Sequence, residues 1–122
     1  MAYKFVKVPD KFDINFNFWE HNVWIKHIDP FSKLYERDSS PAKEESGKIC
    51  LCLWLYCDPS YTNKIGKLKE DEKRSAILSY YPKFDFNDDV ITECIVKYDE
   101  ICLSEAARKF KSTLLSIEKF NK

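Results

Sequence analysis

Three cysteines, Cys50, Cys52 and Cys57, sit in the otherwise apolar stretch KICLCLWLYCD at residues 48–58, and Cys94 and Cys102 follow farther along. Thiolates bind metals and act as nucleophiles, so chemistry is sought here first. Structural zinc sites pair cysteines with roughly two to four residues between them, on turns that let the thiolates converge. Cys50 and Cys52 are closer than that, in a run without such a turn. On a helix they point about 200° apart and cannot share a metal. On a strand they would share a face. Buried free cysteine behaves as a small hydrophobe, and the five thiols are expected to pack in the core, with no metal, cofactor or redox role.

His21 and His27 are six residues apart, not at the i, i+4 spacing of a helical metal pair, and no HExxH pattern is present. They read as histidines beside aromatics at a surface or interface. Asp29 and Asp58 each precede a proline, in HIDPFSKLY and LYCDPSY, and read as helix caps or turns. The charged run KLKEDEKR at residues 67–74 reads as a solvated helix face. No catalytic residue is assigned, and the chain is expected not to be an enzyme.

The chain that must position these residues has 122 of them, enough for one core. Its 44% hydrophobic and 16% aromatic content predicts a folded interior. Twenty basic and twenty acidic residues cancel, so the basic excess that marks nucleic-acid binding is missing. The two glycines, Gly47 and Gly66, lie 19 apart, which argues against a Gly-rich phosphate loop. No apolar run approaches the roughly 18–20 residues of a membrane span. MAYKFVKVPDKFD has no apolar segment of signal-peptide type, so a soluble intracellular protein in a reducing compartment is expected.

Periodicity divides the chain into an extended arm, residues 1–18, and a single helical domain, residues 19–122. In the arm Phe12, Ile14, Phe16 and Phe18 alternate with Asp13, Asn15 and Asn17, a period of two with one apolar edge. Trp19, Val23, Trp24 and Ile28 suit one or two helical turns. Asp29-Pro30 reads as the start of a short helix with Phe31, Leu34 and Tyr35 inward. The polar, turn-rich residues 38–47, from Asp38 through two serines and Pro41 to Gly47, read as an exposed loop. A buried helix is expected from near Pro41 to Cys57, with Glu44 and Glu45 at its favourable end. After a loop at 58–67 comes a helix over 68–81, with Leu68, Ala76, Ile77 and Tyr80 inward. Asn87-Asp88-Asp89 starts the next, carrying Ile91, Cys94, Ile95 and Tyr98. Ser104 reads as a fresh cap before a stripe of Ala107, Phe110, Leu114 and Ile117, alternatively one long helix kinked near Leu103. The sum is an all-α compact domain of about five helices with an extended N-terminal arm.

The aromatic density of residues 12–35 exceeds what one short arm buries alone. Trp and Tyr are favoured interface anchors, so Phe12, Ile14, Phe16, Phe18, Trp19 and Trp24 are the expected protein interface. Truncating Trp19 or Trp24 would then weaken assembly more than folding.

Residues 29–80 carry a Phe-x-x-Leu-Tyr-x-x-Asp helix after an Asp-Pro (DPFSKLYERD), then a Lys-led apolar helix with a central Trp (SGKICLCLWLY). An Asp-Pro-Ser loop (CDPSY) and an acidic-basic helix (KEDEKRSAIL) follow. This order resembles a group of small proteins of tailed bacteriophages, including the crAss-like phages. The resemblance implies a non-enzymatic virion structural or assembly protein at the head, the neck or the head–tail junction. Its partners would be other virion proteins, copies of itself in a symmetric assembly among them, without nucleic acid or membrane. It would reside in the virion, and in the host cytoplasm during assembly. The competing expectation is a small intracellular phage regulator that binds a host or phage enzyme.

Overall fold

The computed structural model describes residues 6–60 and 62–103. Among them the regular structure is helical, without strands. Helix α1 (Phe18–His21) leads into a 3-10 helix at Val23–His27, then α2 (Phe31–Arg37) and a 3-10 turn at Pro41–Lys43. The long α3 (Glu44–Cys57) follows, then a 3-10 turn at Ile65–Lys67 and α4 (Glu70–Tyr80). Residues 89–103 form α5. The all-α architecture is as the periodicity predicts.

Helix α3 is the axis of the domain and packs against α1, α2 and α4. Residues 50–55 are all buried, which a helix achieves only when neighbours surround it. Around it lie Phe18 and Trp19 of α1, Phe31 and Leu34 of α2, Ile77 of α4, and Ile91, Cys94 and Tyr98 of α5. Helix α1 packs on α3 at Gly47, where a Cβ would make ordinary van der Waals contact with Phe18 at 3.6 Å and Trp19 at 3.7 Å.

Several local expectations are corrected. The arm is not a strand, because a turn with Phe16 N–H donating to the Asp13 carbonyl at 3.1 Å bends it back. The alternation survives as burial: Phe12, Ile14 and Phe16 are half-buried against the core, while Asp13, Asn15 and Asn17 are exposed. The arm lies on its own domain, held at Lys7, whose N–H and C=O both bond the buried Asn22 side chain at 2.7 and 3.0 Å. After α1 it is Ile25, wholly buried, that faces inward, whereas Val23 and Trp24 are 49% and 44% exposed. A 3-10 helix turns faster than the α-helix whose spacing places them inside.

Helix α4 begins at Glu70, and Leu68 and Tyr80 lie at the surface, leaving Ile77 as its buried anchor. The polar stretch 38–47 is not an exposed loop: Pro41–Lys43 is a 3-10 turn, α3 begins at Glu44, and Asp38 and Ser46 are buried. Helix α5 starts as expected, with Asp88 Oδ1 accepting from Val90 and Ile91 N–H at 2.9 and 3.1 Å. The expected cap at Ser104 and the stripe from Ala107 to Ile117 lie outside the described residues.

Candidate functional site

The cysteine cluster is built from the middle of α3 and the inner face of α5. Cys50, Cys52 and Cys94 have no more than 1% of their surface exposed, and Cys57 and Cys102 are half-buried. All five are free thiols. Burial pushes every one of them up: Cys52 and Cys94 to about 12, Cys102 to about 11, and Cys50 and Cys57 well above the ordinary thiol value. A thiol so protonated is a poor nucleophile and ligand at neutral pH. Among the described residues no group of three or more His, Cys, Asp and Glu is placed to hold a metal ion. The opening stretch is core packing.

The carboxylates are used at the ends of α3, and each end is closed by an Asp-x-Ser. At the N-terminus Ser40 N–H and Oγ donate to Asp38 Oδ1 at 2.8 and 2.6 Å, and Ser46 N–H donates to Asp38 Oδ2 at 2.7 Å. Ser40 Oγ accepts from Glu45 N–H at 3.1 Å. Ala42 and Lys43, both at φ 56°, fold the chain so that these side chains reach over the helix end. Two left-handed residues cost roughly 1–2 kcal/mol each, and the satisfied orphan amides offset that. Burial works against the ionised Asp38 carboxylate, but the hydrogen bonds from Ser40 and Ser46 outweigh it and hold its pKa down to about 2.

At the C-terminus Ser60 N–H and Oγ donate to Asp58 Oδ1 at 2.9 and 2.5 Å, and Tyr98 of α5 donates to Asp58 Oδ2 at 2.5 Å. A carboxylate is unfavourable at the negative end of a helix, and these three donors offset the repulsion. Burial, with the Asp58 charge beside it, pushes the Tyr98 hydroxyl well above its ordinary value, so it stays a donor. Three carbonyls of the last turn, those of Trp54, Leu55 and Tyr56, also have partners. Trp54 C=O accepts from Asp58 N–H at 2.9 Å. Leu55 would use residue 59, but Pro59 has no N–H. Asn63, 1% exposed, supplies it instead: its Nδ2 reaches the Trp54, Leu55 and Asp58 carbonyls at 2.8, 3.0 and 2.9 Å. Tyr56 C=O accepts from Lys73 Nζ at 3.3 Å.

Asp38, Asn63 and Asn22 are structural residues that the periodicity does not single out. The repeat visible in the sequence is Asp-Pro, at Asp29 and Asp58; the repeat the fold uses is Asp-x-Ser, at Asp38 and Asp58. Asx-turn chemistry is the signal that marks it.

The predicted interface residues separate. Phe18 and Trp19 are 2% and 6% exposed and belong to the chain's own core, with Trp19 Nε1 donating to Ser46 Oγ at 2.9 Å. This corrects the expectation for Trp19, since truncating a buried indole acts on folding. Phe12 stacks on Trp54 at 6.1 Å and meets Tyr80 edge-on at 4.9 Å. Phe16 stacks on the exposed His21 at 4.6 Å, Ile14 is half-buried and His27 is exposed. Trp24 remains at the surface. Between the arm and the loop after α3 lies a cleft of about 520 Å³, walled by Val6 to Asp10, Phe12, Ser60 and Thr62 over Trp54. Beyond it, Val23, Leu68, Leu78, Tyr80, Val96 and Leu103 are large apolar residues exposed to solvent.

No family model matches the chain, and neither does any curated protein or any solved structure. No helix among the described residues is long and apolar enough to cross a membrane.

Proposed function

We propose that this chain is a non-enzymatic binding protein of a tailed-bacteriophage virion, acting as a structural or assembly component at the head, neck or head–tail junction. The observation that carries the binding part is the contrast between interior and surface. Inside, Cys50, Cys52, Cys94, Asp38 and Asp58 are committed to packing and to the ends of α3. Outside, Val96 and Leu103 on α5 are 55% and 69% exposed, and Leu78 and Tyr80 on α4, with Leu68 just before it, are exposed too. A rigid helical surface with such anchors suits docking, where each large apolar side chain removed from water contributes roughly 1.5–3 kcal/mol. The virion part rests on the resemblance of residues 29–80 to small phage proteins.

Quantitative mass spectrometry of purified particles tests this reading. A virion component appears at a fixed copy number relative to the major particle proteins. Absence from particles, with co-purification of one host or phage enzyme from infected cells, would replace it with the regulator reading.

A further inference from the structure

The N-terminal arm uses one of its two edges. At Lys7 the backbone N–H donates to Asn22 Oδ1 at 2.7 Å, and the C=O accepts from Asn22 Nδ2 at 3.0 Å. One side-chain amide reaches both groups of a single residue only where the chain is extended and the two point the same way, as in the hydrogen-bonded pair of an antiparallel ladder. The residue before a proline is held extended by sterics, so Val8, ahead of Pro9, continues that conformation. In an extended chain the polar groups of Val8 point to the side opposite those of Lys7. Among the described residues neither the N–H nor the C=O of Val8 has a hydrogen-bond partner.

The cleft of about 520 Å³ runs along this arm, and the wholly buried Asn22 is not one of its walls. Val8 and Pro9 stand on one side, Thr62 on the other, and Trp54 lies beneath. Trp54 and Phe12, stacked within 11° of parallel, offer apolar surface to one large side chain. The volume falls within the roughly 300–1,000 Å³ of ligand sites. An open edge of extended backbone beside an apolar hollow is what a short peptide needs to add itself as a strand: main-chain bonds hold it, and the hollow selects a side chain.

Charge narrows the occupant. Lys7 and Asp10 line the same cleft and are exposed, and among the described residues neither side chain makes an ion pair or a hydrogen bond. An unmatched cation and anion three residues apart call for an acid and a base at similar separation in what binds. We propose that this cleft holds a short extended peptide of a partner protein. The peptide pairs with the Val8 edge, sets one large apolar side chain over Trp54, and carries an acidic and a basic residue beside Lys7 and Asp10. This is independent of the virion reading, since peptide binding by the isolated chain neither needs nor implies a place in a particle.

The test is binding of the full chain to an array of N-acetyl tetrapeptide amides of two forms, Glu-x-x-Lys and Lys-x-x-Glu, with titration calorimetry on the best members. The expected binders carry a large apolar residue at one x position, favour one charge order, and have Kd below about 1 mM. N-methylation of a peptide amide that pairs with Val8 weakens binding by about three- to tenfold, and methylation of the next amide, which faces away, changes it little. The double variant Lys7→Glu/Asp10→Lys keeps both Asn22 bonds, because they use the backbone, and reverses the preferred charge order. Far-UV circular dichroism checks that it folds as the wild type does. No binder below about 1 mM in either form overturns the proposal. A charge preference that the double variant leaves unchanged also overturns it, because the peptide then sits elsewhere. Binders that tolerate methylation at every amide do so too, because side chains alone then hold them.

Discussion

Asn63 closes the C-terminal end of the central helix, and replacing it isolates that device. Asn63→Ala removes the donor to the Leu55 and Asp58 carbonyls and the acceptor for Gly66 N–H at 3.1 Å. Trp54 C=O keeps Asp58 N–H as a partner. Two buried carbonyls and the half-buried Gly66 N–H therefore lose this partner. At about 1–3 kcal/mol for a group left fully dry, with a water entering the vacated space to satisfy part of them, the loss is roughly 2–4 kcal/mol. Against a total stability of about 5–15 kcal/mol this is a large fraction, and in urea it moves the midpoint by roughly 1–3 M. Asn63→Asp separates hydrogen bonding from packing. It keeps the shape and the acceptor for Gly66 but points a carboxylate at three carbonyl oxygens. At pH 7 it should be less stable than Asn63→Ala by at least about 1 kcal/mol, although it leaves no cavity. Protonation removes the repulsion, so its deficit relative to the wild type shrinks as the pH falls toward about 4. Urea unfolding followed by far-UV circular dichroism at both pH values reads all three chains. If Asn63→Ala lies within about 0.5 kcal/mol of the wild type, or Asn63→Asp is the more stable of the two variants at pH 7, the capping account is wrong.

Gly66→Ala brings a Cβ to 2.6 Å from Asn63 Nδ2 and 3.2 Å from the Asp58 carbonyl, so it should cost about 1–3 kcal/mol. In the Asn63→Ala background most of that cost should vanish, and a double-mutant cycle reads the coupling directly. The depressed pKa of Asp38, about 2, is a contribution to stability on the order of 1–2 kcal/mol once solvent screening is allowed for. It is fully present above the unfolded pKa near 4 and is lost as the pH falls through 2. Thermal melts of the wild type over that window should therefore fall more steeply than those of Asp38→Asn. Iodoacetamide at pH 8 should leave Cys50, Cys52 and Cys94 unmodified until the chain unfolds, with the half-buried Cys102 labelled first, as peptide mass spectrometry would show.

The parts of the fold legible in the sequence share one property: their signal is local. The α3 helix is readable because residues 44–57 combine first-turn acids with an apolar run that Asp58-Pro59 stops. The inner face of α5 is readable from its 3–4 spacing, and Asp88 from its place before it. The exposure of Val23 and Trp24 is not, because the choice between an α-helical and a 3-10 turn depends on what α1 packs against.

By itself the sequence determined the class of this protein. Helical periodicity, scarce glycine, cancelling charges and cysteines without ligand spacing specify a helical domain whose thiols are core residues. Those properties follow from each residue and its near neighbours. Only the tertiary structure decided which polar residues are interior and which aromatics stay at the surface. Asn22, Asn63 and Asp38 are buried because backbone groups left over by the arm and by both ends of α3 need partners there. Trp19 is buried because it packs against Gly47 and Ser46, 27 and more residues later, with the Ser46 hydroxyl in reach of its Nε1–H. Satisfying a buried donor or acceptor is a condition on positions in space, and spacing along the chain does not carry it.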